Sequence, residues 1–245
     1  SNGDPVTADD FVWSWKRILT ASLGSQYPDM LYYLVGAYEY HNGQIDNFDE
    51  VGVKALDTHT LKVNLKNPTP FFIGLLSHYS TWPVHKETVL KHGDIDDRNG
   101  EWTRPGNFVC NGPFQLKTWE LNNKIVVEKN PHYYDASMVR LNEIHYYPVS
   151  NVMTEDRMFR AGQLHLTSSM PTQKCPIYIE EKNPNLKIDP YMGTYFYRIN
   201  TENETLSDVR VRKALAYSID RQLLVDKVTQ CGQIPAYSFT PPGSN

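Results

Sequence analysis

Two stretches of the chain alternate apolar and polar residues and then turn back on themselves. Val51, Val53 and Ala55 run into Asp57-Thr-His-Thr60, after which Leu61, Val63 and Leu65 return. A run, a polar turn and a second run read as an antiparallel hairpin. Phe114 and Leu116 alternate with Gln115 and Lys117, Asn122-Asn123 makes a turn, and Ile125 and Val127 alternate back. Trp119 falls on the opposite face, so the alternation predicts an irregularity near Thr118. Hairpins close locally, whereas parallel strands need a long crossover, usually a helix. The remaining elements follow no regular strand–helix–strand rhythm. The chain therefore reads as α+β or irregular α/β, mixed sheets with flanking helices, and not as a doubly wound sheet.

The helices announce themselves by caps and periodicity. Thr7 and Asp10 resemble a capping box with Asp in place of Glu. Phe11, Trp15, Ile18 and Leu19 then recur at helical spacing, and Gly24 is a stop. Leu31, Leu34 and Val35, among five tyrosines, predict a helix over 28–41. Pro68 and Pro70 end the first hairpin, and a short apolar helix follows at 71–76. Trp82-Pro83-Val84-His85 reads as an extended crossover, and residues 86–107 as polar and irregular. Beyond the second hairpin the pattern predicts a strand at 144–148, a helix over 151–162, a brief strand at 164–166 and a helix at 172–182. A strand pair over 186–199, interrupted at Gly193, comes next. Two final helices are capped by Ser207 or Asp208 and by Asp220, the second ending at Gly232.

Several function classes are excluded or disfavoured. Net charge is -4 with no long basic run, which argues against a nucleic-acid partner held through phosphates. No apolar run approaches the ~20 residues of a membrane span. Cys110, Cys175 and Cys231 match no zinc spacing, and an odd count leaves at least one thiol free. At this length about 70–75% of the unfolded surface can be buried, so no disulfide is required for stability. Asp94, Asp96 and Asp97 fail the calcium-loop pattern. No G-x-S-x-G, H-E-x-x-H, phosphate loop or G-x-G-x-x-G is present. Glu101 beside Trp102, or Asp94 with Asp96, are the candidates for a glycosidase pair, but loop carboxylates beside a Trp are more often solvated surface. Asn203-Glu-Thr205 fits a glycosylation sequon, a weak signal.

What remains is aromatic. The chain has 16 tyrosines, and Tyr combines a flat apolar face with a hydroxyl, which suits a ligand wall or a core periphery. Tyr191-Met-Gly-Thr-Tyr195-Phe-Tyr197-Arg-Ile-Asn200 concentrates them, and Asp208-Val-Arg-Val-Arg-Lys-Ala-Leu215 follows. No nucleophile or metal cluster lies there, so the stretch reads as a cleft wall. In a strand, 191, 195 and 197 share one face and 196 takes the other. A bulge at Gly193 shifts that phase and lets Tyr191 and Phe196 both reach a cleft, with Tyr195 in the core.

Taken together, five stretches resemble the bacterial extracytoplasmic solute-binding proteins of family 5, the oligopeptide-binding group. They are Ser1 to Phe11 with Ser14-Trp15, Gly52 to Asp57 with Leu61 to Leu65, and Asn111-Gly-Pro-Phe114 with Lys129-Asn-Pro-His-Tyr-Tyr134. The aromatic stretch is the fourth; Asp208 to Leu215 with Ile219-Asp-Arg221 and Pro235 to Pro242 is the fifth. They run the whole length in the family's order. The resemblance implies a periplasmic-binding-protein-like (type II) fold, two lobes closing on a ligand, and no catalysis and no cofactor. It implies an oligopeptide ligand, the permease subunits of an ABC transporter as partners, a monomer, and a place in the periplasm or on the outer face of the cell membrane. Related receptors for murein peptide, oligosaccharide or a nickel chelate are the alternatives; a hydrolase is disfavoured.

Full members of the family are about twice this long. The chain starts inside one motif and stops in loop-like sequence, so a fragment is expected. Residues 1–85 correspond to the extra subdomain of lobe one, 86–193 to its central part and 194–245 to the start of lobe two. By the same resemblance Tyr27, Ser168, Ser169, Tyr191 and Phe196 match ligand-contacting positions. Relatives often carry Asn-Asn where Ser168-Ser169 stand and Tyr where Phe196 stands, and Gly193 replaces a disulfide cysteine of some members.

Overall fold

Helix α1 (Ala8–Leu19) begins where its cap predicts. The Asp10 carboxylate accepts from the Thr7 N–H at 2.7 Å and from the Thr7 hydroxyl at 2.9 Å, so Asp does the work of the usual Glu. In this computed structural model, which describes residues 1–243, the chain forms two compact units, one from Ser1 to Pro148 and one beginning at Val149. Ser244 and Asn245, the last positions of the 194–245 segment, lie outside the described residues.

The core of the first unit gathers Trp15 and Leu19 of α1 with Leu31, Leu34, Ala37, Phe48, Val51, Val53 and Phe72. Trp15 is also a hydrogen-bond anchor: its indole N–H donates to the Thr81 carbonyl at 2.8 Å. Its neighbour Ser14 accepts from the Val84 N–H at 2.9 Å. The Ser-Trp pair thus ties α1 to the 3-10 turn at Tyr79–Thr81 and to the crossover at 82–85 that follows it.

The helix expected over 28–41 is broken in two. A 3-10 turn at Pro28–Leu31 and α2 (Ala37–His41) flank Leu34-Val35-Gly36. Leu34 bridges to Leu65, and the Val35 N–H donates to the Asn64 carbonyl at 3.1 Å. Gly36 sits at φ 71, and a Cβ there would lie 2.7 Å from the Glu50 carbonyl oxygen, so only Gly makes this corner. Tertiary pairing overrides the helical periodicity of the segment.

The first hairpin pairs β1 (Val53–Asp57) with β2 (Thr60–Val63), with Val53 opposite Val63. Helix α3 (Phe72–Leu75) follows. Residues 86–107 are not wholly irregular, because α4 (Lys86–Lys91) starts there, with the His85 ring accepting from the Thr88 N–H at 3.3 Å. Arg17 donates to the Asp97 carbonyl at 3.2 Å and lies 5.6 Å over the Trp102 ring, so part of the acidic loop is an anchor for α1. A three-stranded antiparallel sheet has the order β3 (Phe114–Glu120), β4 (Lys124–Lys129), β5 (Glu143–Tyr146). Its register shifts between Leu116 and Thr118, at the place where the alternation breaks.

Asn130 explains why two motifs travel together. It is fully buried. Its side-chain amide donates to the Gly112 carbonyl at 2.8 Å, its oxygen accepts from the His132 N–H at 3.0 Å, and its own N–H reaches the Pro113 carbonyl at 2.9 Å. Asn111-Gly-Pro and Asn130-Pro-His are thereby clamped through one side chain. Asn130→Ala leaves buried polar groups unpaired and is expected to cost about 1–3 kcal/mol. Urea unfolding checks this, and an unchanged midpoint contradicts it.

The second unit has helices α5 (Val152–Arg160), α6 (Cys175–Glu180), α7 (Val209–Tyr217) and α8 (Arg221–Leu224), the last running into a π-helical turn at Val225–Thr229. Asp208 and Asp220 cap α7 and α8 by accepting from the Arg210 and Leu223 N–H groups. The turn ends on left-handed Gln230 at φ 53, ahead of the expected Gly232. The strand expected at 164–166 and the pair over 186–199 are not formed; the backbone there carries no ladder. Cys175 and Cys231 form a disulfide with Cα atoms 5.5 Å apart, and Cys110 is the free thiol. Among the described residues, Pro171 and Cys175 are the only buried apolar residues of this unit; Glu155 and Asp156 are buried as well.

Candidate functional site

The five residues matched to ligand contacts fall in both units, Tyr27 in the first and the others in the second. Each set is built by its own local structure. Tyr27 stands immediately before the 3-10 turn at Pro28–Leu31 and is 36% exposed. Its ring meets His78 edge-on at 5.0 Å and Tyr79 at 5.8 Å, while His78 and Tyr79 stack at 4.3 Å. A hydrogen bond with Tyr27 raises the Tyr79 phenol above its ordinary value, with desolvation adding to it. The His78 Nδ1 accepts from the Ser80 N–H at 3.3 Å, which puts the proton of a neutral ring on Nε2. The result is a half-exposed aromatic group with donors at its edges. Sequence reasoning missed His78 and Tyr79; the signal was the aromatic pair just ahead of the Trp82-Pro83 crossover.

Ser168 is positioned from below by a buried carboxylate. Glu155 Oε1 accepts from the Ser168 N–H at 2.7 Å and from its hydroxyl at 3.2 Å. Both Ser168 and Ser169 are exposed. Glu155 was not legible as a support, since a helix Glu in a polar segment is normally solvated.

The adjacent Asp156 organises the rest of α5. It accepts from Arg160 Nε at 3.0 Å and from Lys174, with the Tyr178 hydroxyl at 3.5 Å. Burial pushes its carboxyl up, but Lys174 and Arg160 outweigh that and hold it below the usual value. A depressed folded-state value stabilises the fold above the unfolded value of about 3.9 and loses that stabilisation as pH falls below it. Asp156→Asn is therefore expected to destabilise the second unit at neutral pH and to flatten its acid-unfolding curve between roughly pH 5 and 2. Wild-type and variant curves that run parallel over that range contradict this.

The aromatic stretch is extended and open. The Gly193 N–H closes a tight turn onto the Tyr191 carbonyl at 2.9 Å, and the Tyr191 ring folds so closely over Gly193 that a Cβ there would lie 2.4 Å from it. The expected strand bulge is thus a tight turn with the exposed Tyr191 ring laid over Gly193. Tyr191 is 88% exposed. Tyr195 and Tyr197 share a face, with rings 6.0 Å apart, and Phe196 takes the other, against Phe239 at 5.0 Å. Tyr195, expected in the core, is 88% exposed, because no ladder strand covers that face. The Asp208-Val-Arg-Val-Arg motif is structural: Arg210 pairs with Asp208, and Arg212 donates to the Leu206 carbonyl at 2.9 Å. Arg221 joins the Ala216 carbonyl at 3.0 Å to the Tyr237 ring.

Among the described residues no group of three or more His, Cys, Asp or Glu is arranged to hold a metal ion, and no helix is long and apolar enough to cross a membrane. The Asp94, Asp96 and Asp97 loop and the carboxylates near Trp102 form no such group.

Comparison with known proteins places this geometry. The chain is 40% identical to the periplasmic oligopeptide-binding protein of Salmonella typhimurium over 253 residues, covering 99% of this chain and 44% of that protein. The solved structure of OppA from Burkholderia pseudomallei superposes with a TM-score of 0.90 at 35% identity, over 99% of this chain and 46% of its own. OppA of Haemophilus influenzae, solved in complex with RPPGFSPFR, gives a TM-score of 0.89 at 33% identity, over 98% of this chain and 46% of its own. The chain thus spans under half the length of the relatives it matches. These likenesses bear out the periplasmic-binding-protein-like fold. The family described as bacterial extracellular solute-binding proteins, family 5 Middle, matches residues 1–245, and the chain belongs to that family.

Proposed function

We propose that the protein is the extracytoplasmic substrate-binding component of an ABC importer and that it binds oligopeptides between two lobes. The observation that carries the reading is the coincidence of two facts. Relatives across the whole chain are oligopeptide-binding proteins, one of them solved with a bound nonapeptide. The aromatic stretch matched to the ligand contacts is an exposed, extended backbone whose N–H and C=O groups carry no ladder. Backbone pairing with an extended peptide uses those groups, and side-chain pockets then need little selectivity of their own. Water completes hydrogen bonds around varied side chains at small cost.

By the family resemblance Tyr27, Ser168, Ser169, Tyr191 and Phe196 are the ligand contacts, and His78 and Tyr79 support the Tyr27 ring. The permease subunits are the partners, the receptor acts as a monomer, and it performs no catalysis. The division into 1–85, 86–193 and 194–245 describes how this chain contributes to the two lobes. A place outside the cytoplasm is supported by the Cys175–Cys231 disulfide, since such bonds persist in oxidising compartments.

Calorimetry of the full-length protein against mixed-sequence tri- to pentapeptides tests the assignment, with a murein tripeptide, cello-oligosaccharides and a nickel chelate as the competing arms. Peptide binding that weakens at least tenfold in Tyr27→Ala and in Phe196→Ala supports it. Preference for one of the other arms, or peptide binding indifferent to both substitutions, sinks it.

A further inference from the structure

We propose that Glu155 is a positioning residue that fixes Ser168 as a hydrogen-bond acceptor toward the ligand, so that this contact takes a donor N–H of the bound peptide. The inference rests on the peptide-binding reading above and adds the polarity of the ligand group that this position selects.

Two donors of Ser168 converge on one oxygen. The backbone N–H donates to Glu155 Oε1 at 2.7 Å, and the hydroxyl donates to the same atom at 3.2 Å. A hydroxyl has one proton and two lone pairs, and a backbone amide has a single proton. With both protons directed at Glu155, Ser168 keeps only acceptors for anything else: the lone pairs of Oγ and its own carbonyl. Turning the hydroxyl round to donate to a ligand would take a partner away from a buried carboxylate, which costs more than an ordinary exchange of hydrogen bonds.

The carboxylate is itself held in place. Glu155 is 8% exposed and sits on α5. Its N–H donates to the Asn151 carbonyl at 3.0 Å, and the Asn151 side chain caps the helix by accepting from the Thr154 N–H at 3.0 Å. The neighbouring Asp156 takes the cations Arg160 and Lys174. Glu155 has no ion pair among the described residues, and its side chain bonds to Ser168 alone. A buried carboxylate is unfavourable without hydrogen bonds, so Glu155 holds Ser168 as firmly as Ser168 satisfies Glu155. Ser169 is the contrast: among the described residues its hydroxyl makes no hydrogen bond, so it can donate or accept. The Asn-Asn that relatives often carry at these positions offers both roles twice; the Glu155–Ser168 pair removes one of them. An extended peptide supplies an N–H at every residue except proline, and an ester linkage supplies none.

The test is calorimetry of the full-length protein with tetra-alanine and four analogues. Three have a single backbone N–H replaced by an ester oxygen, and one has its amino group replaced by hydrogen, so each deletes one donor. One of the four is expected to bind the wild type at least about tenfold more weakly than tetra-alanine and to lie within about twofold of it in Ser168→Ala, where the acceptor is gone. Glu155→Ala frees the hydroxyl to rotate and should shrink the same ratio at least about threefold. Glu155→Met, which fills similar volume without an oxygen, carries that expectation if the Ala variant does not fold. Glu155→Gln keeps an acceptor oxygen in place and should retain the wild-type ratio. A Glu155 that merely supports the fold would shift tetra-alanine and every analogue alike, leaving the ratios unmoved, and that result overturns the proposal. So does a set of penalties that all survive Ser168→Ala. Both outcomes leave peptide binding standing. Failure of the wild type to bind tetra-alanine and mixed-sequence peptides overturns the functional reading and this inference with it.

Discussion

Opening the Cys175–Cys231 disulfide is expected to unfold the second unit of this 245-residue chain and leave the first unit folded. The bond spans 56 residues, and the loop-closure model gives a cross-link of that span about 4 kcal/mol. The second unit has little else to set against that loss. Among its described residues Pro171 and Cys175 are the only buried apolar side chains, and the other buried groups are the Glu155 and Asp156 carboxylates. A unit without an apolar core depends on staples, and here the staple holds both ends of the segment carrying Tyr191, Phe196, α7 and α8. Amide hydrogen exchange with and without dithiothreitol reads this directly. Protection in α6, α7 and α8 should collapse on reduction while that of α1, β3 and β4 persists. The double variant Cys175→Ser, Cys231→Ser should reproduce the effect without free thiols from this pair. Unchanged protection in α6 to α8 under reductant contradicts it.

Trp15→Ala is expected to be the corresponding blow to the first unit. Truncating a buried Trp costs about 3–5 kcal/mol through lost transfer energy and the cavity left behind. It also strands the Thr81 carbonyl that the indole N–H satisfies at 2.8 Å. Trp15→Phe separates the two effects, because it keeps most of the volume and removes the donor; about 1–3 kcal/mol is expected for the unpaired carbonyl with the lost ring volume. Denaturant midpoints should rank wild type, Trp15→Phe, Trp15→Ala in falling order. A Phe variant as stable as wild type would show that the turn at Thr81 does not depend on this bond. The two units share no residue in these arguments, so losses at Trp15 and at the disulfide should be additive.

Local signals were legible wherever local physics decides the outcome. The Thr7–Asp10 cap, the two hairpins and the slip near Thr118 follow from capping chemistry and period-two alternation, both short-range. The helix expected over 28–41 failed because Leu34 and Val35 satisfy their backbone groups through Leu65, Asn64 and Gly52, partners that periodicity cannot see. The 186–199 strand pair failed for the opposite reason. Its sequence favours extended backbone, but strand assignment requires a ladder partner, and none is supplied within the described residues. The disulfide was invisible because spacing along the chain does not fix which cysteines meet. For the candidate site, the family resemblance supplied Tyr27, Ser168, Ser169, Tyr191 and Phe196; the supports His78, Tyr79 and Glu155 emerge only when distant segments are brought together.

The identity of the natural ligand tests the functional account most directly. The full-length protein, purified without denaturant from its own host, should retain ligand in the closed cleft. Released by acid and analysed by mass spectrometry, that material should be a mixture of short peptides of varied sequence. A single saccharide, a metal chelate or a murein fragment as the sole species would contradict the account.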